Sequence, residues 1–350
     1  MTNFSLSSAL KFSALVVAAG LLGCDSGEKP PATADDFVDL AAAKLAAGDL
    51  GAAAAAVSNA VELAGGDVDV RLLKAQVDFN TREYESARKI YRAIAEDASL
   101  DRETRSQGWA GLGVVDYAAQ DHHAARCDFL RAIRLDARNA AARYHLGLLY
   151  RDIFGFNEAA LDQFQLYVRV ASEIDERVKK VQQTVIPELK EMVQRMVLDI
   201  PGARDRDPGT CSKALNAAEA AMKKGTFKTA RLRYEEAVKA DPTSYPAVTG
   251  LARAYLKTDA SATGMRKAIE NYLTACKLKP SSTQTYFTAG ELAAKAGQHG
   301  IATEVYSRAM AADPTSTTAI DGLIRALRKT NFGKAAAVYQ SYRDSLAKKK

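Results

Sequence analysis

Apolar residues recur along this chain at spacings of three and four, the period of one helix face. Ala53, Val57 and Ala60 form one such set, and Ala87, Tyr91 and Ile94 form another. In the second half Ala230, Tyr234 and Ala237 repeat the pattern, followed by Ala268, Tyr272 and Ala275 and then by Ala302, Tyr306 and Ala309. Polar or glycine-bearing breaks separate the sets, as at Gly48, Gly225 and Gly297. Glycine at such a turn adopts positive φ without steric cost. Pro242, Pro280 and Pro314 each follow a set. There proline removes an amide donor and restricts the residue before it, which ends a helix. The pattern predicts an all-α chain of paired antiparallel helices, each of about 13 residues.

The sets share a period. Pro280 and Pro314 stand one repeat apart, and the step from Pro242 to Pro280 is slightly longer. The extra residues fit the turn from Asp259 to Gly264. Around the single tryptophan, Trp109, Leu112-Gly113, Tyr117, Ala125, Phe129 and Ala132 follow in order. One period on stand Leu146-Gly147 and Tyr150, then Gly155, Ala160 and Phe164 one place late. This order resembles the tetratricopeptide repeat, over residues 34–172 and 211–346. The resemblance implies a right-handed superhelical solenoid in two arrays, each of about four repeats. The last repeat, from Ile320 to about Leu346, is degenerate and is expected to cap the second array. The pattern has a physical cause. Alanine at a close crossing lets two helices approach, and a Tyr or Phe ring fills the space beside it. One pair cannot bury its apolar face alone, so neighbouring pairs stack.

A different segment, residues 173–210, joins the arrays. Ile174, Val178, Val181, Val185, Leu189, Met192 and Met196 form one amphipathic stripe. Pro187 is expected to kink or restart that helix. Capping of the first array and pairing with a second copy both fit the stripe. The polar stretch from Asp199 to Gly209 holds two prolines and two glycines and reads as a loop or hinge.

The first residues read as a targeting segment. Lys11 precedes an apolar run from Phe12 to Leu22, shorter than the roughly 18 residues a spanning helix needs. Leu21-Leu22-Gly23-Cys24 resembles the bacterial lipobox. The resemblance implies a signal peptide over 1–23, lipidation at Cys24 and a polar tether over 24–33. The chain is then expected to be lipid-anchored in a bacterial membrane, facing periplasm or exterior. Asp25 resembles an inner-membrane retention signal, which leaves inner and outer membranes both open. Cys127, Cys211 and Cys276 are odd in number and lack CxxC spacing, so free or partly buried thiols are expected.

Charge divides the chain. It carries 48 Lys+Arg and 42 Asp+Glu, net +6. Residues 211–350 hold 23 and 11, net +12, which leaves 25 and 31, net −6, for the first 210. Such separation steers oppositely charged partners or favours self-association. In the repeat family the first helix of each pair lines the groove. Offsets then place Lys223, Lys257, Lys295 and Lys329 at one equivalent site, with Arg253, Arg325 and Arg328 nearby. This cationic ladder suits an acidic peptide or an anionic polymer. The helix macrodipole, which favours lysine at a helix C-terminus in any protein, accounts for it equally well. The family's carboxylate clamp is not carried over, because Leu215, Glu219, Thr249 and Arg253 stand at its positions. In the first array Val38, Leu72, Phe79, Tyr117 and Tyr144 fall on inner helices. They are candidates for an apolar partner groove or for intramolecular core.

Candidate chemistry changes this picture little. His122 and His123 are adjacent, and His145 and His299 lack patterned ligand partners. There is no HExxH, phosphate-loop, GxSxG or EF-hand spacing. The expectation is a non-enzymatic scaffold without metal or cofactor. Export argues against a nucleic-acid partner. The resemblance implies protein partners in an envelope machine, such as secretin or pilus assembly, outer-membrane protein assembly, motility or cell-wall enzyme recruitment. An anionic wall or exported polysaccharide, bound by the basic array, is the alternative.

Overall fold

The computed structural model describes residues 33–172 and 176–347. The expected signal segment, Cys24, the tether up to residue 32, and Ile174 of the linker stripe lie outside the described residues. Among the described residues the chain is helical, with no strand. Consecutive helices pack on one another in pairs. The all-α expectation therefore holds. Among the described residues two compact units are distinguished: those up to Leu149 with 166–172, and Tyr150–Gln165 with those from 176 on.

In the first unit, α1 (Ala34–Ala47) pairs with α2 (Leu50–Ala64), α3 (Val68–Asn80) with α4 (Tyr84–Glu96), and α5 (Arg102–Ala118) with α6 (His122–Leu135). α7 (Ala140–Leu148) follows. Local chemistry marks the ends. Thr33 and Asp36 form a reciprocal capping box, satisfying two orphan amides at the start of α1. Gly48, at φ 80°, ends that helix. Asp101, Asp121 and Asn139 cap α5, α6 and α7 through their side chains. The predicted core sets are buried, with Ala53, Ala60, Ala87 and Ile94 fully enclosed.

The second unit repeats the plan. α8 (Asn157–Val170) begins in it, and α9 (Glu176–Lys180) and α10 (Ile186–Leu198) follow. The pairs are α11 (Pro208–Lys223) with α12 (Phe227–Ala240), α13 (Tyr245–Thr258) with α14 (Ala262–Leu278), α15 (Thr283–Lys295) with α16 (His299–Ala312), and α17 (Thr317–Lys329) with α18 (Gly333–Ala347). The last pair is complete, with Tyr339 and Tyr342 buried and the Tyr342 hydroxyl donating to the Pro314 carbonyl at 3.1 Å.

Where the period slips, the backbone adjusts. The residue inserted before Gly155 is taken up by a π-helical turn, Leu149–Phe154, and Gly155 then turns the chain at φ 65°. The extra residues after Asp259 lengthen α14 to 17 residues, against 14 in α12 and α16, instead of enlarging the turn. Pro187 sits at the start of α10, preceded by a second π-helical turn, Val181–Val185. Proline's missing donor is tolerated at a helix start. Val178, Val181, Val185 and Leu189 of the stripe are buried, whereas Met192 is 49% exposed. α9 and α10 group with the second unit, where α10 lies against α14. The stretch read as a hinge is tied down inside this unit. Asp207 donates its amide to the Ala240 carbonyl at 2.8 Å, Arg206 donates to Thr243 at 3.1 Å, and Ala203 is buried. Arg308 of α16 lies 4.5 Å from the Phe156 ring and 3.9 Å from Glu158, which holds the start of α8 within this unit.

Ring against glycine is the recurring contact between pairs. A Cβ on Gly250 would stand 2.1 Å from Tyr234, and one on Gly111 would stand 2.4 Å from Tyr91. Both rings come from the second helix of the preceding pair and are 2% exposed. Gly250→Ala is therefore expected to destabilise the chain by about 1–3 kcal/mol through overpacking. Urea unfolding of the full chain measures it, and an unchanged midpoint would mean that the Tyr234 ring is free to shift.

Candidate partner-binding surfaces

On the first helices of the second unit, two charged registers run in parallel, one helical turn apart. The first holds Glu219, Arg253, Glu291 and Arg325, so acid and base alternate from pair to pair. The second holds Lys223, Lys257, Lys295 and Lys329, each at or next to the last residue of its helix. The four lysines of the expected ladder thus share one register, and Arg253 and Arg325 lie one turn before it.

The alternating register is anchored by tyrosines of the second helices. Tyr306 donates its hydroxyl to Glu291 at 2.6 Å, and Arg325 donates to the same oxygen at 3.0 Å. Burial, then the bond to Glu291, raises the Tyr306 hydroxyl far above its ordinary range. Burial raises the hydroxyls of Tyr234 and Tyr272; the charge of Arg253 opposes that rise at both, and Glu219 adds to it at Tyr234. Tyr255 donates to Glu235 at 2.9 Å, and burial together with that bond pushes its pKa up to about 12. Arg325 is 61% exposed and Glu291 33%, so their ion pair contributes about 1 kcal/mol at most. Its main effect is to fix where the guanidinium and the Tyr306 ring stand.

The lysines are all exposed. Their helix-end positions satisfy the macrodipole argument at every site. Lys257 reaches over the Phe227 ring at 5.9 Å, at the start of the preceding second helix. Lys329 stands at the corresponding corner of the last pair, where it borders an open pocket of ≈ 320 Å³. Ala294, Tyr306, Gly322 and Ala326 form the apolar floor, and Arg325, Arg328, Lys329 and His299 the rim. Arg328 also donates to Gln340 at 3.4 Å. Of the seven candidate cations, the structure brings Arg325, Arg328 and Lys329 to this one pocket. Lys223, Arg253, Lys257 and Lys295 are exposed elsewhere on the same set of helices.

The first unit differs. Val38, Leu72, Tyr117 and Tyr144 are half-buried. Tyr117 lies 5.7 Å from the His122 ring, and Tyr144 contacts His145 at 5.4 Å and Tyr167 at 5.2 Å. Phe79 is 4% exposed and rests on Tyr84 at 5.6 Å. Its ring is core and leaves little surface for a partner. Cys127, Cys211 and Cys276 are free and buried, and burial pushes the thiols of Cys127 and Cys276 up to about 12. Both are therefore poor nucleophiles.

Sequence reasoning missed the buried charged residues of α3, α5 and α6. Asp78, Asp116, Arg126 and Asp128 are each at most 5% exposed. Asp78 is paired with Lys74 and accepts from Ser86 at 2.6 Å. The available signal was positional. Asp78 and Asp116 stand third from the end of successive first helices, each between apolar neighbours.

A sequence profile described as "Tetratricopeptide repeat" matches residues 44–105. A Mus musculus protein described as "Superkiller complex protein 3" is 24% identical over 260 residues, 73% of this chain but 16% of that protein. The chain thus spans a small part of that relative's length. Among solved structures, a thermophilic tetratricopeptide-repeat protein of Thermus thermophilus is 14% identical, covering 64% of this chain and 100% of its own, with a TM-score of 0.38. YrrB, titled a tetratricopeptide-repeat protein with an unusual peptide-binding site, is 14% identical, covering 66% and 95%, with a TM-score of 0.28. Residues 44–105, which contain α2 to α4, are a tetratricopeptide-repeat segment, and the described residues share its all-α fold of consecutive packed helix pairs.

Proposed function

We propose that this chain is a membrane-anchored scaffold of a bacterial envelope assembly, and that its second unit receives an acidic, apolar segment of a protein partner. The observation that carries this reading is the pocket between α15, α16 and α17. Its floor is apolar, its rim is cationic, and it sits in a half of the chain with net charge +12. An apolar side chain fits the floor, and carboxylates beside it would meet Arg325, Arg328 and Lys329. Charge brings the partner and the apolar contact holds it. The first unit offers less free apolar surface, since its candidate rings are half-buried or buried. Anchoring rests on the lipobox-like Leu21-Leu22-Gly23-Cys24, and two acyl chains would make it stable.

A second reading is favoured by one specific observation. All four ladder lysines are exposed at helix ends and recur with the period of the repeat. Such a row suits an anionic wall or exported polysaccharide. Salt separates the two readings, because exposed charges lose most of their attraction beyond a screening length of about 8 Å at physiological ionic strength.

Two measurements follow. Crosslinking capture from native membranes with the full chain is expected to recover an envelope protein, and Arg328→Glu with Lys329→Glu is expected to lower that recovery about tenfold. Undiminished recovery removes the pocket from the proposal. Polymer binding lost in moderate salt, with no protein captured, would replace it by the polysaccharide reading. Separately, Cys24→Ala is expected to move the chain from the membrane fraction to the soluble one. A chain that stays with membranes after this change is not held by a lipid on Cys24.

A further inference from the structure

The second unit carries one pattern of two helix pairs twice over. A single interval separates Glu219 from Glu291, Tyr234 from Tyr306, Gly250 from Gly322 and Arg253 from Arg325. The same interval separates Asp241-Pro242-Thr243-Ser244 from Asp313-Pro314-Thr315-Ser316. The elements correspond as well, α11 to α13 in the first copy and α15 to α17 in the second. Equivalent residues are then expected to make equivalent contacts, and a difference between the copies has a local cause.

In the second copy a carboxylate is seated. Glu291 of α15 accepts from the Tyr306 hydroxyl at 2.6 Å and from Arg325 at 3.0 Å. In the first copy the two donors recur, but no carboxylate joins them. Tyr234 is 2% exposed. Among the described residues its hydroxyl makes no hydrogen bond, and Arg253 and Glu219 make no ion pair. The Tyr234 ring lies against α13 at Gly250. Arg253 follows Gly250 on the same helix face, just as Arg325 follows Gly322 beside Tyr306.

One methyl group accounts for the difference. Gly290 lets the Tyr306 ring approach α15, where a Cβ would stand 2.7 Å from it. Ala218 holds the equivalent position of α11 and carries that Cβ. The Tyr234 ring accordingly stands nearer α13. A Cβ on Gly250 would lie closer to it than the 2.5 Å between a Cβ on Gly322 and Tyr306. A ring moved toward α13 takes its hydroxyl toward Arg253 and away from Glu219, which is exposed.

We propose that Tyr234 and Arg253 form a receiving site for one carboxylate of a protein segment, in the place that Glu291 fills in the second copy. Two donors, one of them charged, suit the oxygens of one carboxylate. Half-buried Leu215, Met222 and Leu256 pack against the cluster that holds Tyr234. That apolar surround fits an amino-acid side chain and not the hydroxyls of a sugar. The assignment to a protein segment rests on the function proposed above and adds an order to it. Met222 and Phe227 stand where Ala294 and His299 line the pocket of the second copy. The segment therefore sets its carboxylate at α11–α13 and its apolar side chain at α15–α17.

The test is a titration of the full chain, isotopically labelled in arginine, with acetyl-glutamate methylamide. Its glutamine analogue and glucuronate are titrated in parallel. The glutamate compound is expected to shift the Nε–H resonance of Arg253 and to bind about tenfold more tightly than the glutamine one. Tyr234→Phe keeps the ring that packs on Gly250 and removes only the donor, and Arg253→Gln changes an exposed side chain. Each is expected to weaken binding about tenfold. Equal binding of the two compounds overturns the proposal, and so does binding that both variants leave unchanged. A parent that binds neither compound overturns it too, and binding regained in Glu219→Gln would identify Glu219 as the occupant. Glucuronate bound as tightly as the glutamate compound overturns the assignment to a protein segment. The pocket is tested separately by capture with Arg328→Glu and Lys329→Glu, so the two readings fail independently.

Discussion

The spacing between helix pairs is set by an aromatic ring lodged against a residue that has no side chain. Tyr91 meets Gly111, Tyr234 meets Gly250, and Tyr306 meets both Gly290 and Gly322. The ring fills the gap that two cylinders leave at their crossing, and the missing Cβ lets the backbones close on it. A larger residue at the glycine would push the pairs apart, and a smaller one at the ring would leave a void. Everything else in each unit hangs on this contact. Tyr306, held between two glycines, directs its hydroxyl to Glu291, and Glu291 then positions Arg325. A packing contact in the core thereby decides where charge stands on the surface.

The two units use charge in opposite ways. In the first unit, Asp78, Asp116 and Asp128 are withdrawn from water and paired with Lys74, Arg88 and Arg131. Buried ionic groups rarely stabilise more than apolar residues of the same size would, but removing one member leaves an uncompensated charge. In the second unit the cations stay in solvent at helix ends, where the backbone dipole favours them and where they cost little. Buried charge ties neighbouring helices together. Exposed charge leaves a surface that can attract something else.

Irregularities fall where the repeat length changes or a proline interrupts, and each is absorbed inside a helix. The inserted residue before Gly155 becomes a π-helical turn, the residues after Asp259 lengthen α14, and Pro187 is preceded by a second π-helical turn. Lengthening a helix keeps backbone donors and acceptors paired. A longer loop would leave them to water. The loop after α10 obeys the same constraint, since its amide at Asp207 is paired with α12 at Ala240.

Much of this fold was legible in the sequence. The spacings of Ala, Tyr and Gly locate most helices and their turns, because burial of one face demands them whatever the neighbours are. Charge separation between the halves, and the recurrence of lysine once per repeat, could also be counted directly. What could not be read was which side chains meet. Phe79 and Tyr144 share an apolar character, yet one is core and the other half-buried. Arg325 stood near the lysine ladder in the sequence, but its bond to Glu291, which also accepts from Tyr306, was not readable there. Asp116 gave no local sign of its pairing with Arg88 of α4. Period and composition report what each helix must bury along its own axis. Contacts between helices depend on rotation and crossing distance, which large rings and absent side chains from separate parts of the chain set together, and only the folded structure brings those parts within reach.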